Sequence, residues 1–451
     1  MAQPIGRQAV VIGAGMGGLA AARAVSGSFE RVLVLESDIL PGEAIERAGV
    51  PQGKHVHILL AGGQRALCDL FPDFERELGH AGAVPLRAGF DLRIERPGYD
   101  PFPKRDLGWD AYAMSRALGE SSVRRLAQAV PNIEIRDQCR VRDLVARSDG
   151  RAVTAVRWVS VGGTSDAVKT DIVVDASGRG NLTLELLTAT GRPRPDETTI
   201  GVDLAYSTAV FAIPDDASTD WKGVFTFPDA PTSSRGALLS PLEGRRWILT
   251  VAGRHHETPP GDADGFLAYV RQLRTPTIYE AIRDAKRLGE IARFRFPDSR
   301  CRHYERLSTF PRGLLPFGDS ICRFNPIYGQ GMSVAAQQAY ALTRLLAARA
   351  TETDPLDGLA SAFFAEAAAL IDTPWANAAL PDFVYPDTRG ARPDNFAQLL
   401  QLGAALNELA AQDPAVHALT AEVQHLLKPR SVYHDASLIG RLMAIMTDGE
   451  R

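Results

Sequence analysis

The hydrophobic pattern near the start of the chain predicts a β-strand, an α-helix and a second β-strand in close succession. Ala9 to Ile12 form a short apolar run that is typical of a buried parallel strand. Met16 to Val25 follow a helical pattern, and Arg31 to Leu35 are strand-like again. This order predicts a βαβ unit.

Two later apolar strands are each followed by a glycine-containing turn. One runs from Asp171 to Val174 and the other from Gly313 to Phe317, and a helix rich in Ala, Leu and Gln is predicted from about Ser333 to Ala350. Strand-like segments separated by Pro, Gly and Asp fill residues 198–252 and predict an antiparallel sheet. Beyond Ser333 the pattern is mainly helical, with a Pro- and Asp-rich break at residues 381–395.

A glycine-rich segment connects the first strand to the first helix. Gly13, Gly15 and Gly18 occupy the three glycine positions of the pattern G-x-G-x-x-G, and Gly17 lies beside them. Such glycines allow a tight turn, the approach of a pyrophosphate to the backbone, and close packing of helix on strand. Glu36 follows the second strand, where a carboxylate accepts the hydroxyls of an adenosine ribose. The alternative is a tight turn that binds nothing, but the context favours a dinucleotide site.

A second glycine-rich motif selects FAD among the dinucleotides. The sequence GDSICRFNPIYGQGM follows the strand that ends at Phe317 and leads into the long helix. Asp319 can bond the ribityl hydroxyls, and the backbone from Gly329 to Met332 can offer N–H groups to the flavin ring. An NAD dehydrogenase needs only the first motif, so the pair predicts FAD. The candidate residues of this motif are Asp319, Pro326, Gly329, Gln330, Gly331 and Met332.

Composition, charge and cysteine content restrict the class of protein, its compartment and the partners it can bind. The 451 residues are 45% hydrophobic and 23% charged, as in an ordinary globular protein of more than one domain. A formal net charge of −4 provides no basic footprint for nucleic acid. Four widely spaced cysteines without a Cys-x-x-Cys pair favour a reducing cytoplasm, and no apolar stretch is long enough to predict a transmembrane segment.

At this point the chain resembles the flavin monooxygenase superfamily that includes aromatic hydroxylases and squalene epoxidase. The stretches GVPQGKHVHILLAGGQRAL and GDSICRFNPIYGQGM look most like bacterial epoxidases and hydroxylases of natural-product pathways, polyether epoxidases among them. By this resemblance Arg47 contacts FAD, and Arg116 lies along its ribityl and pyrophosphate region. The family's usual Asp-Gly motif is replaced by Asp175-Ala176-Ser177-Gly178, which leaves open whether NADPH or NADH reduces the flavin on this chain or through a separate reductase.

The resemblance implies an α/β fold, α+β overall, in which a Rossmann-like FAD-binding domain carries an interleaved antiparallel substrate sheet. We expect residues 1–190 and 295–350 to form the FAD-binding domain, with part of 70–110 facing the substrate. Residues 191–294 then form the substrate domain, and residues 351–451 a helical C-terminal region that covers the FAD domain, contributes to a homodimer or covers the substrate.

The expected activity is transfer of one oxygen atom from a flavin C4a-hydroperoxide to a hydrophobic small molecule, by epoxidation or hydroxylation, with molecular oxygen as co-substrate. No catalytic side chain is identified. The Trp-x-Trp-x-Ile-Pro signature of flavin-dependent halogenases is not in the sequence, which disfavours halogenation. A flavin-dependent alkene reductase of the geranylgeranyl-reductase kind and a non-catalytic FAD-binding protein remain alternatives.

Three further groups of residues have no clear assignment from sequence. His55-x-His57 has no third ligand at suitable spacing for a metal, and a role in packing beside the flavin is preferred. The run Arg254-His255-His256-Glu257 is interpreted as a solvated turn. Four large apolar residues of the antiparallel sheet face either the substrate or the protein core: Phe225, Phe227, Leu238 and Trp247.

Overall fold

The computed structural model describes residues 4–448, and these form two principal sheets and a helical C-terminal region. The strands are β1 (Gly6–Ile12), β2 (Phe29–Leu35), β3 (Val84–Arg87), β4 (Leu92–Glu95), β5 (Asp110–Ala113), β6 (Ile133–Arg136), β7 (Cys139–Ala146), β8 (Val153–Ser160), β9 (Ser165–Lys169), β10 (Ile172–Asp175), β11 (Glu197–Ala212), β12 (Gly223–Thr226), β13 (Gly236–Leu242), β14 (Arg246–Arg254), β15 (Arg287–Arg302), β16 (Leu314–Pro316) and β17 (Cys322–Arg323). The helices are α1 (Met16–Ser26), α2 (Ala61–Leu70), α3 (Phe74–Ala81), α4 (Arg116–Gln128), α5 (Asn181–Ala189), α6 (Ala263–Arg271), α7 (Thr277–Ile282), α8 (Gly331–Arg349), α9 (Leu359–Phe383), α10 (Phe396–Gln412), α11 (Pro414–Gln424) and α12 (Ala436–Asp448).

The first sheet is parallel, with strand order β16-β10-β1-β2-β6. Its central strands are buried apolar runs because both faces are covered, one by helices α1 and α8 and the other by the three-stranded sheet β7-β8-β9 and α5. β1, α1 and β2 form the predicted βαβ unit, and both later strands predicted from short apolar runs join the same sheet. The predicted Rossmann-like α/β fold is therefore confirmed.

The second sheet has the order β17-β15-β11-β14-β13-β12-β4 and is antiparallel except where β12 pairs with β4. β4 comes from residues 92–95, so a segment within the predicted range 70–110 does enter this sheet. The predicted boundary between residues 294 and 295 falls inside β15, which runs unbroken from Arg287 to Arg302. The division of the chain into three domains stays a prediction.

Helix α8 packs on α1 and α2 above the parallel sheet, and together they enclose the largest buried core. The helix begins at Gly331, two residues before the predicted start, because the glycine-rich turn continues directly into its first turn. The C-terminal region is helical as expected. Helix α9 continues through Pro374 and ends at Phe383, so the predicted break from residue 381 begins three residues later, at Val384. Among residues 4–448, no helix is both long and apolar enough to cross a membrane.

Candidate cofactor and substrate site

The turn between β1 and α1 has glycines where any larger residue would collide with backbone. Gly13 has a φ of +98°, a conformation that glycine adopts without strain. A Cβ on Gly18 would lie 1.9 Å from the carbonyl oxygen of Gly13, so α1 passes directly against the turn. Gly15 precedes the helix in extended conformation, which leaves the first N–H groups of α1 facing open space. This arrangement is a cradle for an anion.

Two arginines and three carboxylates surround this cradle. Arg47 lies 3.3 Å from Glu36, 3.2 Å from Asp38 and 2.6 Å from Glu120. Burial opposes the charge of Arg47, but Glu120 and the other two carboxylates raise its pKa. Nη2 of Arg116 forms an ion pair with the second oxygen of Glu120, 2.8 Å away. The Glu120 carboxylate therefore fixes both guanidinium groups beside Gly15.

Arg116 keeps one nitrogen free for a ligand. Its Nη1 atom is buried and has no hydrogen-bond partner within the described part of the chain. Burial lowers the pKa of Arg116, and Glu120 opposes that effect. An unpaired buried donor is costly unless a ligand supplies an acceptor. A phosphate or ribityl oxygen is an acceptor of the required kind.

Glu36 holds the turn as well as facing the site. One carboxylate oxygen accepts the N–H of Ala14 at 2.8 Å, and the other accepts the N–H of Asp38 at 3.0 Å. The residue ends the second strand of the βαβ unit, as the sequence motif predicts. Oε1 also accepts the hydroxyl of Ser37 at 3.2 Å, so the capacity left for a ribose is on Oε2.

The second glycine-rich motif forms the opposite wall. Asp319 lies in a short turn after β16, and Pro326 begins a 3-10 turn that ends at Gly329. Gln330 and Gly331 then open α8. Burial raises the pKa of Asp319 to about 6, although its carboxylate is open to the cavity. The Oε1 atom of Gln330 is buried without a partner among residues 4–448.

The two motifs border one cavity of about 520 Å³, and all the residues predicted from sequence lie on its wall. These are Gly13, Gly15, Gly17, Gly18, Glu36, Arg47, Arg116, Asp319, Pro326, Gly329, Gln330, Gly331 and Met332. Residues on β7 also line the glycine-rich end, and the sequence analysis did not anticipate them. β7 carries no recognisable motif, so its position at the cavity wall depends only on its contacts with other strands.

The other end of the cavity is walled by the antiparallel sheet. The register places Phe225 opposite Leu238 and Leu238 opposite Thr250, and these three side chains face the cavity in one row. Tyr206 and Phe296 extend this apolar wall. Phe225 and Leu238, which the sequence left between a cavity-facing and a core position, therefore face the cavity.

The two remaining aromatic residues of that group lie elsewhere. Trp247 is an odd number of residues from Thr250, so it points to the opposite face and packs with Phe266 under α6. Phe227 is outside the cavity wall and stacks on Phe225, with ring centroids 4.2 Å apart.

His55 and His57, for which the sequence favours a role in loop packing or at the flavin edge, both line the cavity. Nδ1 of His55 lies 2.7 Å from the hydroxyl of Thr208, which is 2.6 Å from the hydroxyl of Thr250. The N–H of Val56 donates to the hydroxyl of Thr250 at 3.1 Å, so His55, Thr208 and Thr250 form one hydrogen-bonded chain beside the cavity. Nε2 of His55 is buried without a partner among residues 4–448.

Neither histidine carries a charge at neutral pH. Burial lowers the pKa of His55 to about 4. Burial, with a contribution from Arg116, lowers the pKa of His57 to about 3. Nδ1 of His57 donates to the carbonyl oxygen of His55 at 2.9 Å, because a carbonyl only accepts. Two neutral imidazoles therefore border the junction between the two ends of the cavity.

Arg254 corrects the sequence interpretation of its neighbourhood. Residues 255 and 256 do form a turn with an exposed His256, but Arg254 is not part of it, because Arg254 ends β14 and its side chain is only 3% exposed. It bonds Asp382 at 2.9 Å and the hydroxyl of Tyr328 at 3.1 Å. Asn325 donates to both oxygens of Asp382 at 3.0 Å. The cluster Arg254, Asp382, Tyr328 and Asn325 thus ties α9 and the antiparallel sheet to the second glycine-rich motif.

The structure explains why an aspartate is present in the altered motif at residues 175–178. Asp175 is fully buried and accepts the hydroxyls of Ser177 and Thr183, each at 2.6 Å. Ala176, Ser177 and Gly178 line the cavity, whereas Asp175 is behind them. Asp175 therefore holds the loop and start of α5 in place.

Comparison with known proteins finds one relative by sequence and several solved structures with a similar fold. The chain is 34% identical over 358 residues to Protein Rv3254 of Mycobacterium tuberculosis, covering 76% of this chain and 73% of the relative. No family model matches the sequence.

Among solved structures, the flavin-dependent brominase Bmp2 aligns with a TM-score of 0.68 at 14% identity, over 99% of this chain and 100% of the brominase. PqsL, a probable FAD-dependent monooxygenase from Pseudomonas aeruginosa, aligns with a TM-score of 0.60 at 16% identity, over 84% of this chain and 97% of PqsL. At such identities the likeness concerns the fold.

Proposed function

Because this chain belongs to the same family as Protein Rv3254 and has the fold of the FAD-dependent monooxygenase superfamily, we propose that it is an FAD-dependent monooxygenase. Its substrate is a hydrophobic small molecule, and the reaction is an epoxidation or a hydroxylation. The observation that carries this proposal is the continuity of one cavity from the anion cradle at Gly15 to the apolar wall around Leu238.

The glycine-rich end fits FAD in shape and in hydrogen-bonding capacity. Gly13 and Gly18 allow the tight turn and the close packing of α1, the missing side chain at Gly15 leaves room for a pyrophosphate against the backbone, and Arg47 and Arg116 supply positive charge. The unpaired Nη1 of Arg116 and Oε1 of Gln330 are buried groups that a bound cofactor would satisfy. The residues that would hold FAD are those predicted from the sequence.

The sheet end fits an apolar substrate. Tyr206, Phe225, Leu238 and Phe296 present carbon-rich surface, and Thr250 is occupied by its own hydrogen bonds. Bound FAD would supply activation of oxygen and transfer of one oxygen atom to the substrate. The protein's own contribution is to orient the substrate and to exclude water.

The two histidines beside this end of the cavity are poor bases. Burial lowers the pKa of His55 to about 4 and that of His57 to about 3, so each neutral imidazole accepts a proton only weakly. A phenol hydroxylase gains from a base that deprotonates the ring hydroxyl, whereas oxygen transfer to an alkene does not need one. The site therefore favours an alkene or another non-phenolic substrate.

The electron donor is NADPH or NADH, acting on this chain or through a separate flavin reductase. Stopped-flow measurement of flavin bleaching distinguishes these routes. Rapid bleaching by NADPH or NADH alone indicates direct reduction, and bleaching only after addition of a reductase indicates the indirect route.

The deciding experiment supplies ¹⁸O₂ to the FAD-loaded protein with a panel of apolar polyenes and arenes. Product that gains one ¹⁸O atom supports the proposal, and alkene reduction without ¹⁸O would replace it with the reductase alternative. Leu238→Trp fills the apolar end and should abolish product without loss of FAD, while Leu238→Met serves as the matched control. A protein that binds FAD but turns over no member of the panel, and shows no faster flavin reoxidation with any of them, would contradict the proposal.

A further inference from the structure

Two cysteines face each other where the second sheet meets the second glycine-rich motif. Cys301 on β15 lies directly opposite Cys322 on β17. The N–H of Arg302, the residue after Cys301, donates to the carbonyl of Ile321, the residue before Cys322, at 2.9 Å. Cys301 and Cys322 are therefore a non-hydrogen-bonded pair of the antiparallel ladder. Residues of such a pair have Cα atoms about 4.5 Å apart. A disulfide requires a Cα separation of about 4.4–6.8 Å, and this pair meets it without movement of the backbone.

The two side chains are on the same face of the sheet and in contact. Both belong to the largest buried core, and the strand register places their side chains side by side. Burial, followed by the contact with Cys301, raises the pKa of the Cys322 thiol. The other cysteines, Cys68 on α2 and Cys139 on β7, are on separate elements and provide internal controls.

A second cavity gives access to one member of the pair. It measures about 260 Å³ and lies between the end of β15 and helix α9. Its wall includes Cys301 but not Cys322, together with the aromatic side chains of Tyr304, Phe364 and Trp375. A small neutral oxidant can therefore reach Cys301 first.

We propose that Cys301 and Cys322 form a reversible modification site, in which hydrogen peroxide that enters the second cavity converts the two thiols into a cross-strand disulfide. The sulfur of Cys301 loses its proton and attacks one peroxide oxygen, which breaks the O–O bond and gives a sulfenic acid and water. The sulfur of Cys322 then loses its proton and attacks the Cys301 sulfur, forming the S–S bond and releasing a second water. Two thiols are oxidised, one peroxide is reduced, and a dithiol reductant restores the thiols.

The position of this site links it to the cofactor wall. Cys322 is three residues after Asp319, and the next residue, Arg323, lines the large cavity. A disulfide would join this segment covalently to β15 and so to the sheet that forms the substrate wall. The inference depends on the cysteine geometry and not on the proposed oxygen chemistry, because peroxide is added as a reagent in the test.

Peptide mapping without reduction tests the proposal directly. Cleavage before aspartate releases residues 298–318 with Cys301 alone and residues 319–353 with Cys322 alone. After peroxide treatment of the full-length protein and blocking of free thiols, we expect these two peptides to be joined and two hydrogen atoms lighter than their sum. Dithiothreitol should separate them again. Oxidation confined to Cys68 or Cys139, with both peptides recovered singly, would overturn the proposal.

Variants test the order of the two steps. In Cys322→Ser, peroxide should leave a sulfenic acid on Cys301 that dimedone traps, whereas Cys301→Ser should yield little adduct on Cys322. The opposite result would contradict access through the second cavity. Cys68→Ser should leave formation of the joined peptide unchanged, and loss of the joined peptide in this variant would contradict the assigned pairing.

Discussion

Removal of the Asp382 carboxylate should be among the most damaging single changes in the C-terminal region. The Asp382→Ala variant leaves the guanidinium of Arg254 buried without its counter-ion, since the two side chains are 3% and 1% exposed. It also removes the acceptor of the Tyr328 hydroxyl, 2.7 Å away, and of the Asn325 amide. Breaking a buried ion pair from one side costs about 3–5 kcal/mol.

This cost translates into a measurable thermal shift. Proteins unfold with an entropy of about 2.1 cal/mol/K per residue near 60 °C, so a chain of this length has about 0.9 kcal/mol/K. If the chain unfolds as one unit, Asp382→Ala should lower Tm by about 3–5 °C, and a smaller unfolding unit would increase the shift. Tryptophan fluorescence or circular dichroism during heating measures it, with and without added FAD to separate the contribution of cofactor binding.

Two control variants test whether the loss in Asp382→Ala comes from the buried, unpaired charge. Asp143→Ala breaks an exposed ion pair to Arg157, 3.3 Å long, and should cost less than about 1 kcal/mol. Replacing both Arg254 by Met and Asp382 by Leu should recover at least half of the loss, because no unpaired charge remains buried. A shift for Asp382→Ala no larger than for Asp143→Ala, or a double variant as unstable as the single one, would refute the argument.

Three further predictions concern the cofactor end. Gly18→Ala places a Cβ against the carbonyl of Gly13 and should abolish FAD retention on gel filtration, whereas Gly27→Ala, with open space around its Cβ, should retain it. Glu36→Arg should raise the Kd for FAD in fluorescence titrations, and unchanged affinity would contradict the ribose assignment. Burial raises the pKa of Asp319 from 3.8 to about 6, so the folded state disfavours its ionised form and loses stability as pH rises from about 4 to 6. Without FAD, Asp319→Asn should lack this loss, so its Tm relative to the unaltered protein should increase over that range, and a constant difference would argue against the shift.

The cofactor end could be predicted from the sequence because its determinants are local. Gly13 to Gly18 form one turn within six residues, and Glu36 is fixed by the next strand of the same βαβ unit. The second motif is also contiguous, from Gly318 to Met332. In both places the backbone itself makes the site, and the residue types report its conformation directly.

The parts that were missed depend on partners far away in the sequence. Arg254 was interpreted as solvated because its neighbours are polar, but its counter-ion Asp382 is 128 residues later. Trp247 and Leu238 could not be assigned to faces without the register between β13 and β14, since a shift of one residue reverses every side chain. The pairing of Cys301 with Cys322 likewise requires the short ladder between β15 and β17.

The strand order of the parallel sheet has a consequence for the synthesis of the chain. β10 pairs with β1 on one side and with β16 on the other, and β16 ends at Pro316. About 140 residues separate the end of β10 at Asp175 from that point, which is about 7–28 s of translation at about 5–20 residues per second. During this interval the apolar strand from Ile172 to Val174 has an unpaired edge, and α8, which covers α1, is not yet made. The nascent chain therefore presents an adhesive apolar edge while residues 176–316 are synthesised, and chaperone occupancy should be greatest over this stretch of translation.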